Sequence, residues 1–346
     1  MANKNILVVF LIAFLGISLI VTIPIFTLSS QLSTYDVMDE TDDSFIYAPS
    51  NSSPIEKLNI YAERGDVEIK YVSPLVNYFA KIIVIIAMSG EGIAGKSYLD
   101  YFSVDWENTS TITTFSMELK SELEQMEVLS LIKNIIIIAY LRADIVFDIT
   151  VTVIEGNIDL NVPFGVIINN IKLNINTGNI FYDFNYCIIE GNITGIVNEG
   201  NIGLKTYNAK YTQKSNWNFT LDAGDLTINI SQNRDLGANI SGTAKINEGN
   251  VLVLYEDNSP NIGARFEIPF GNHTDIDFPQ CLYYPGATGW CSNVVGFHYN
   301  DPGLDLDLGT VILTSLDLLE NRVKNYYDLR FEIFQGSFTM DLTNIN

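Results

Sequence analysis

Gly90 to Ser97, GEGIAGKS, fits the phosphate-loop pattern G-x-x-x-x-G-K-[ST] without a mismatch. In a nucleotide-binding reading, backbone amides around Gly90 and Gly95 cradle phosphates, Lys96 reaches the β and γ oxygens, and Ser97 holds magnesium. The apolar run KIIVIIAMS precedes it, as the strand of such a loop would. The residues after Ser97 fit less well. A phosphate loop needs a helix whose amino end faces the anion. Here Phe102, Val104 and Trp106 alternate with Ser103, Asp105 and Glu107, which is the pattern of a strand. No later hydrophobic strand ends in a magnesium-binding Asp, and the α/β alternation of a nucleotide fold is missing. The residues favour a glycine-rich strand connection, with nucleotide binding as the alternative.

Other reactive residues are sparse. Cys281 and Cys291 enclose LYYPGATGW. In an oxidising compartment a disulfide there would stabilise the loop by about 2–3 kcal/mol; three reduced thiols are the rival state. Cys187 is left over and reads as a small core residue. His273 and His298 lack the close partner of a zinc motif. Asp275, Asp277, Asp301, Asp305 and Asp307 offer oxygen ligands for calcium, but not at EF-hand spacing, and an alternating acidic strand face explains them as well. No G-x-S-x-G elbow occurs. Carboxylates are plentiful, and none is singled out as half of a glycosidase pair. The favoured reading therefore needs no cofactor, with calcium as the alternative.

Two features place the chain. Ile6 to Leu28 contains no charged residue in 23. As a helix it would be about 35 Å long, enough to cross about 30 Å of hydrocarbon. The run exceeds a signal-peptide core and lacks a small-residue cleavage site, so an uncleaved anchor is expected. Lys4 precedes it, and Asp36, Asp39, Glu40, Asp42 and Asp43 come after it, which puts the amino end in the cytoplasm and the rest outside. The second feature is charge. With 19 basic and 41 acidic residues the net charge is −22, a surface that a nucleic acid would repel. A second apolar run, Leu75 to Met88, is too short to span and contains Lys81; it reads as a buried strand.

The elements expected beyond the anchor are strands. Ile145, Phe147, Ile149, Val151 and Val153 alternate with largely polar neighbours, as do Ile171, Leu173 and Ile175, and Leu226, Ile228 and Ile230. One short helix is expected over Met117 to Ser130, from the spacing of Leu119, Leu123, Met126 and Leu129. A repeat organises the strands: Gly, then Asn or Asp, then an aliphatic residue. It begins at Gly65, Gly156, Gly178, Gly191, Gly200, Gly224 and Gly249, with a degenerate copy at Gly336. Both leading residue types reach positive φ cheaply, so each copy is expected to reverse the chain between strands. Arg64-Gly65-Asp66, which also matches an integrin-binding tripeptide, is simply the first copy. From Gly156 the steps are 22, 13, 9, 24 and 25 residues. A step of 22 to 25 holds about two strands, and stacked copies would bury a continuous core. The stretch LRFEIFQGSFTMDL is expected to form a closing hairpin around Gly336.

The phrases VIEGNIDLNVP, LNINTGNIFYDF, NEGNIGLKT, LDAGDLTINIS and INEGNVLVLY resemble the G-[DN]-[IV] repeats of the putative-adhesin β-repeat family. The likeness covers Ile145 to Tyr255 and extends to Ile60 through IYAERGDVEIKYV. It implies a stacked β architecture outside the cell, commonly behind a membrane anchor in bacterial and archaeal surface proteins.

These observations lead to an all-β ectodomain, a solenoid-like stack of short strands with a β-sandwich as the alternative, behind one transmembrane helix. Residues 1–28 are the tail and anchor and 29–56 an acidic Ser/Pro linker. Residues 57–346 are the extracytoplasmic domain, divided into strands 57–144 and the repeat-containing part 145–346. The expected role is structural, adhesive or partner-binding, without catalysis. The partners are the membrane through residues 6–28 and a protein or glycan outside the cell, met by sheet faces or by the loop with Tyr283, Tyr284 and Trp290. A phosphate-loop nucleotide-binding protein and a polysaccharide-active β-solenoid enzyme are the alternatives. Seven N-x-[ST] triplets, at Asn51, Asn108, Asn192, Asn218, Asn229, Asn239 and Asn272, are compatible with an external location.

Overall fold

The computed structural model describes residues 34–37, 44–50, 53–89, 98–120, 132–257, 262–269, 274–277, 297–300, 310–315, 318 and 323–341. They are almost all strand. The first eight strands are β1 (Thr34–Val37), β2 (Ser44–Tyr47), β3 (Glu56–Arg64), β4 (Asp66–Val72), β5 (Ala80–Ser89), β6 (Phe102–Asn108), β7 (Ile112–Leu119) and β8 (Ile132–Arg142). The repeat region supplies β9 (Phe147–Glu155), β10 (Ile158–Val162), β11 (Ile167–Thr177), β12 (Ile180–Asn185), β13 (Ile188–Ile189), β14 (Ile193–Glu199), β15 (Ile202–Tyr207), β16 (Lys210–Tyr211), β17 (Ser215–Ala223), β18 (Leu226–Gln232) and β19 (Ile240–Asp257). The last are β20 (Ile262–Pro269), β21 (Thr274–Asp277), β22 (Phe297–Asn300), β23 (Thr310–Ser315) and β24 (Asn325–Asp341). No helix among the described residues is long and apolar enough to cross a membrane, and the run 6–28 lies outside them.

Two compact units are distinguished. The smaller comprises residues 1–39, 85–102 and 119–135. In it β1 pairs antiparallel with the end of β5, from Thr34 opposite Ser89 to Val37 opposite Ile86. Tyr98, Tyr101 and Phe102 are buried, and the Lys120 backbone N–H donates to Tyr101 O at 2.9 Å.

The larger unit comprises residues 40–84, 103–118 and 136–346, and most of it is two parallel ladders. The first runs β7, β3, β9, β11, β14, β17, the first half of β19, the first half of β24, then β20. The second runs β8, β4, β10, β12, β15, β18, the second half of β19, the second half of β24, then β21. Register keeps like with like: Ile158, Ile180, Ile202, Leu226, Val251 and Phe338 form one buried column across the second ladder. Large side chains in the first ladder face small ones. Trp217 lies opposite Gly242, and Phe219 opposite Gly195 and Ala244. A Cβ on Gly242 would stand 2.5 Å from the Trp217 carbonyl oxygen and 2.9 Å from Trp217 Cβ, so the neighbouring strand leaves no room for a side chain there.

The expected chain reversal at each glycine is not observed. β9 and β10, on either side of Gly156, pair with the strands one turn away on their own ladders and not with each other. The reason is conformational. A Gly-Asn hairpin turn is type II′, with φ about +60° at the glycine and a negative φ after it. In the copies at Gly65, Gly156, Gly178, Gly200, Gly224, Gly249 and Gly336 the glycine has φ between +118° and +149°, a more extended backbone than that turn needs. One inverted residue bends the strand at a corner and lets it go on. The expected hairpin around Gly336 is overturned in the same way: β24 runs through it unbroken, paired in parallel with β19.

Three further differences concern the amino-terminal part of the chain. Met117 to Leu119, placed in the expected helix, belong to β7; residues 121–131 lie outside the described set. Part of the expected linker is ordered as β1 and β2, and β2 pairs antiparallel with β5 from Ser44 opposite Ile83 to Tyr47 opposite Ala80. Tyr47 is buried there because its hydroxyl has a partner, the Glu56 carboxylate at 2.7 Å. The apolar run from Leu75 becomes strand only at Ala80, and Leu75 itself is 94% exposed.

Candidate functional site

Wherever a strand alternates, every second side chain faces outward, and in a parallel stack these also form columns. On the outer face of the second ladder one column reads Glu68, Asp159, Phe181, Gly203, Thr227, and the next reads Lys70, Asn161, Asp183, Lys205, Asn229. Together they line a groove of about 780 Å³. Phe181, among its lining residues, is 47% exposed although its neighbours Ile180 and Tyr182 are buried. The ring lies toward Gly203 in the next strand, where a Cβ would stand 2.9 Å from Phe181 Cδ1. A bare glycine backbone thus leaves room for an aromatic side chain to lean across the sheet.

The rim carries charges of both signs. Lys70 Nζ stands 2.5 Å from Glu68 Oε2, and Lys205 Nζ stands 3.6 Å from Asp183 Oδ2. The Glu68 carboxylate beside Lys70 raises the lysine above its usual range. Asp159, between these pairs, is raised by partial burial first and then by the Glu68 and Asp66 carboxylates, with Lys70 opposing. Around an apolar ring the groove therefore sets carboxylate acceptors, ammonium donors and the amides of Asn161 and Asn229.

Beside the groove runs a column of side-chain hydrogen bonds along the glycine corner. Asn157 donates through N and Nδ2 to Asp66 Oδ1 at 2.9 and 2.8 Å. Asn179 does the same to Asn157 at 3.1 and 2.9 Å, and Asn201 to Asn179 at 3.0 and 2.9 Å. Asp225 N then donates to Asn201 Oδ1 at 2.9 Å, and Asn250 donates through N and Nδ2 to Asp225 Oδ1 at 2.8 and 2.9 Å. Ser337 Oγ ends the column on Asn250 Oδ1 at 2.7 Å. The two carboxylates only accept, so each begins a run of amides that point back to it.

Gly191 is the one copy that does not stand in this column. It lies at another corner, where its missing Cβ would press within 2.6 Å of Asn170 Oδ1. That corner has its own ladder: Asn169 Nδ2 and Asn170 N donate to Asp148 Oδ1, Asn192 N to Asn170 Oδ1, and Asn216 N to Asn192 Oδ1, all between 2.8 and 3.0 Å. This resolves the steps of 13 and 9: two corners of one 22-residue turn carry the same tripeptide. This second column of side-chain hydrogen bonds has a signal in the sequence, because Asn170, Asn192 and Asn216 recur at the spacing of the glycines.

Gly90, Gly95, Lys96 and Ser97 lie outside the described residues, as do Cys281, Cys291, Tyr283, Tyr284 and Trp290. Before residues 90–97 stands β5; after them comes a single 3-10 turn, Tyr98–Asp100, and then β6. Cys187 is a buried free thiol that burial pushes up to about 12. Among the described residues no group of three or more His, Cys, Asp or Glu side chains is placed to hold a metal ion.

No family model matches the chain, and no curated protein matches it. A solved structure that aligns with it is described as a "putative cell adhesion protein" from Clostridium sporogenes. The two share 11% identity at a TM-score of 0.33, with 89% of this chain and 98% of that one covered. A superposition that loose carries no argument about this chain.

Proposed function

We infer that this is a non-catalytic surface protein. A solenoid-like β stack is held outside the cell by a helix over residues 6–28, with the amino end in the cytoplasm, and serves a structural, adhesive or partner-binding role. The observation that carries the reading is the continuity of the two parallel ladders from β3 to β24, whose inward columns are filled by side chains and whose outward columns remain for recognition. The uncharged run 6–28 and the acidic balance beyond it support the anchor and its orientation. The test is protease shaving of intact cells carrying a carboxyl-terminal tag. Removal of the tag without lysis is expected. A tag protected until the membrane is opened would overturn the orientation, and release of the whole chain by carbonate washing would overturn the anchor.

A further inference from the structure

We propose that the Phe181 groove is a carbohydrate subsite that takes a neutral, unbranched glycan chain. The proposal rests on the reading of this protein as a surface binding module and names what the module binds. Three observations lead to it. First, Phe181 is a large apolar side chain on the outer, otherwise polar face of a regular strand, 47% exposed and lying toward Gly203. A flat, accessible ring face fits the C–H face of a pyranose, and burying it against a ligand is favourable. Second, the groups around the ring supply both donors and acceptors: Asp159 and Asp183 accept, Lys70 and Lys205 donate, and Asn161 and Asn229 do both. A sugar's hydroxyls need that mixture, whereas a flat apolar partner surface would leave it unpaired.

Third, the charge balance selects among glycans. Two of the three carboxylates already have lysine partners, Lys70 with Glu68 and Lys205 with Asp183. Asp159 is left as the excess negative charge, and it is raised by burial and by neighbouring carboxylates. An anionic sugar would add to that repulsion, while a neutral one would accept the field through its hydroxyl protons. The groove spans β4 to β18, five parallel strands at about 4.8 Å each. That length suits several residues of a linear chain lying across the strands.

The experiment is titration calorimetry of the full-length protein in detergent with maltohexaose, cellohexaose and chitohexaose, and with hexagalacturonate as the acidic counterpart. At least one neutral hexasaccharide is expected to bind and hexagalacturonate to bind more weakly. Phe181→Ala should weaken binding about tenfold or more. Gly203→Val should do so too, because its side chain displaces the ring while circular dichroism stays unchanged. Phe164→Ala, an exposed phenylalanine away from the groove, should leave binding as it was. No binding by any neutral hexasaccharide, tighter binding of the acidic one, or affinity unmoved by both groove variants would overturn the proposal. Binding by purified protein does not depend on where the chain resides, so failure here is distinct from failure of the shaving test.

Discussion

A methyl group at Gly178 would have nowhere to go. The site has φ +137°, and an added Cβ would fall against the Gly156 carbonyl, which is backbone and belongs to the neighbouring turn. Strain and clash act together there, and relief would require separating two hydrogen-bonded strands. Gly178→Ala is expected to cost about 3 kcal/mol or more, read as a lower midpoint in urea unfolding. Gly165 is the control: its φ is +79° but nothing lies within 4 Å of its missing Cβ, so Gly165→Ala should cost only about 1–2 kcal/mol. Equal losses at the two sites would mean that conformation alone, and not stacking, places the corner glycines. Cys187 tests the core at the same scale. Its thiol is buried and raised to about 12, so almost no thiolate exists near neutral pH. In a C281S/C291S background, Cys187 should react with Ellman's reagent only as fast as the protein unfolds; rapid labelling of the native protein would show that the core opens locally.

Strands are legible one at a time; their partners are not. The alternation of Phe147 to Val153, of Ile171 to Ile175 and of Leu226 to Ile230 matches their burial, because period two is a local property of the backbone. Pairing is a different matter. Gly-Asn suits a hairpin turn as well as a corner, and only the more extended φ of the glycine separates them. The groove was also partly legible. In NIFYDF, Phe181 stands at the outward parity between Ile180 and Tyr182, an apolar residue where a polar one belongs. What no local pattern could supply was Gly203 beside it, 22 residues later. One strand, β10, carries a consequence for pH. Asp159 is raised in the folded protein by partial burial, Glu68 and Asp66. A group that binds its proton more tightly when folded contributes stability that is fully present below its unfolded pKa and is lost as pH rises through the folded one. Asp159→Asn is therefore expected to raise the melting temperature at pH 7 more than at pH 3.5. The same gain at both pH values would show that the carboxylate is not destabilised where it stands.

At the scale of the larger unit, order along the chain and order in the stack part company at both ends. β3 and β4 lie between later strands, with β7 and β8 on one side and β9 and β10 on the other. At the opposite end β24, the last strand, is inserted between β19 and the pair β20 and β21, which precede it by some sixty residues. Arg265 on β20 ties it there through Asp328 on β24 at 2.8 Å, and Arg330 on β24 pairs with Glu267 on β20, which Arg265 also meets within its own strand at 2.7 Å. A stack that grew simply by adding turns would leave its final rung exposed as an edge, ready to pair with another chain. Here β24 arrives inside, paired on both sides, and the edges left beyond it among the described residues are short, the four-residue strands β21 and β22, the latter reached from β20 through antiparallel β23. The insertion should therefore keep the protein monomeric as well as hold it together. A chain ending at Lys324 would expose the long edge of β19, which is two strands joined at Gly249, and leave β20 without its parallel partner. Such a chain is expected to form dimers or larger species in light scattering after size exclusion, and a synthetic peptide of residues 325–341 should return it to monomer by filling the slot. A truncated chain that stays monomeric with an unchanged unfolding midpoint would mean that β24 lies on a stack already complete without it.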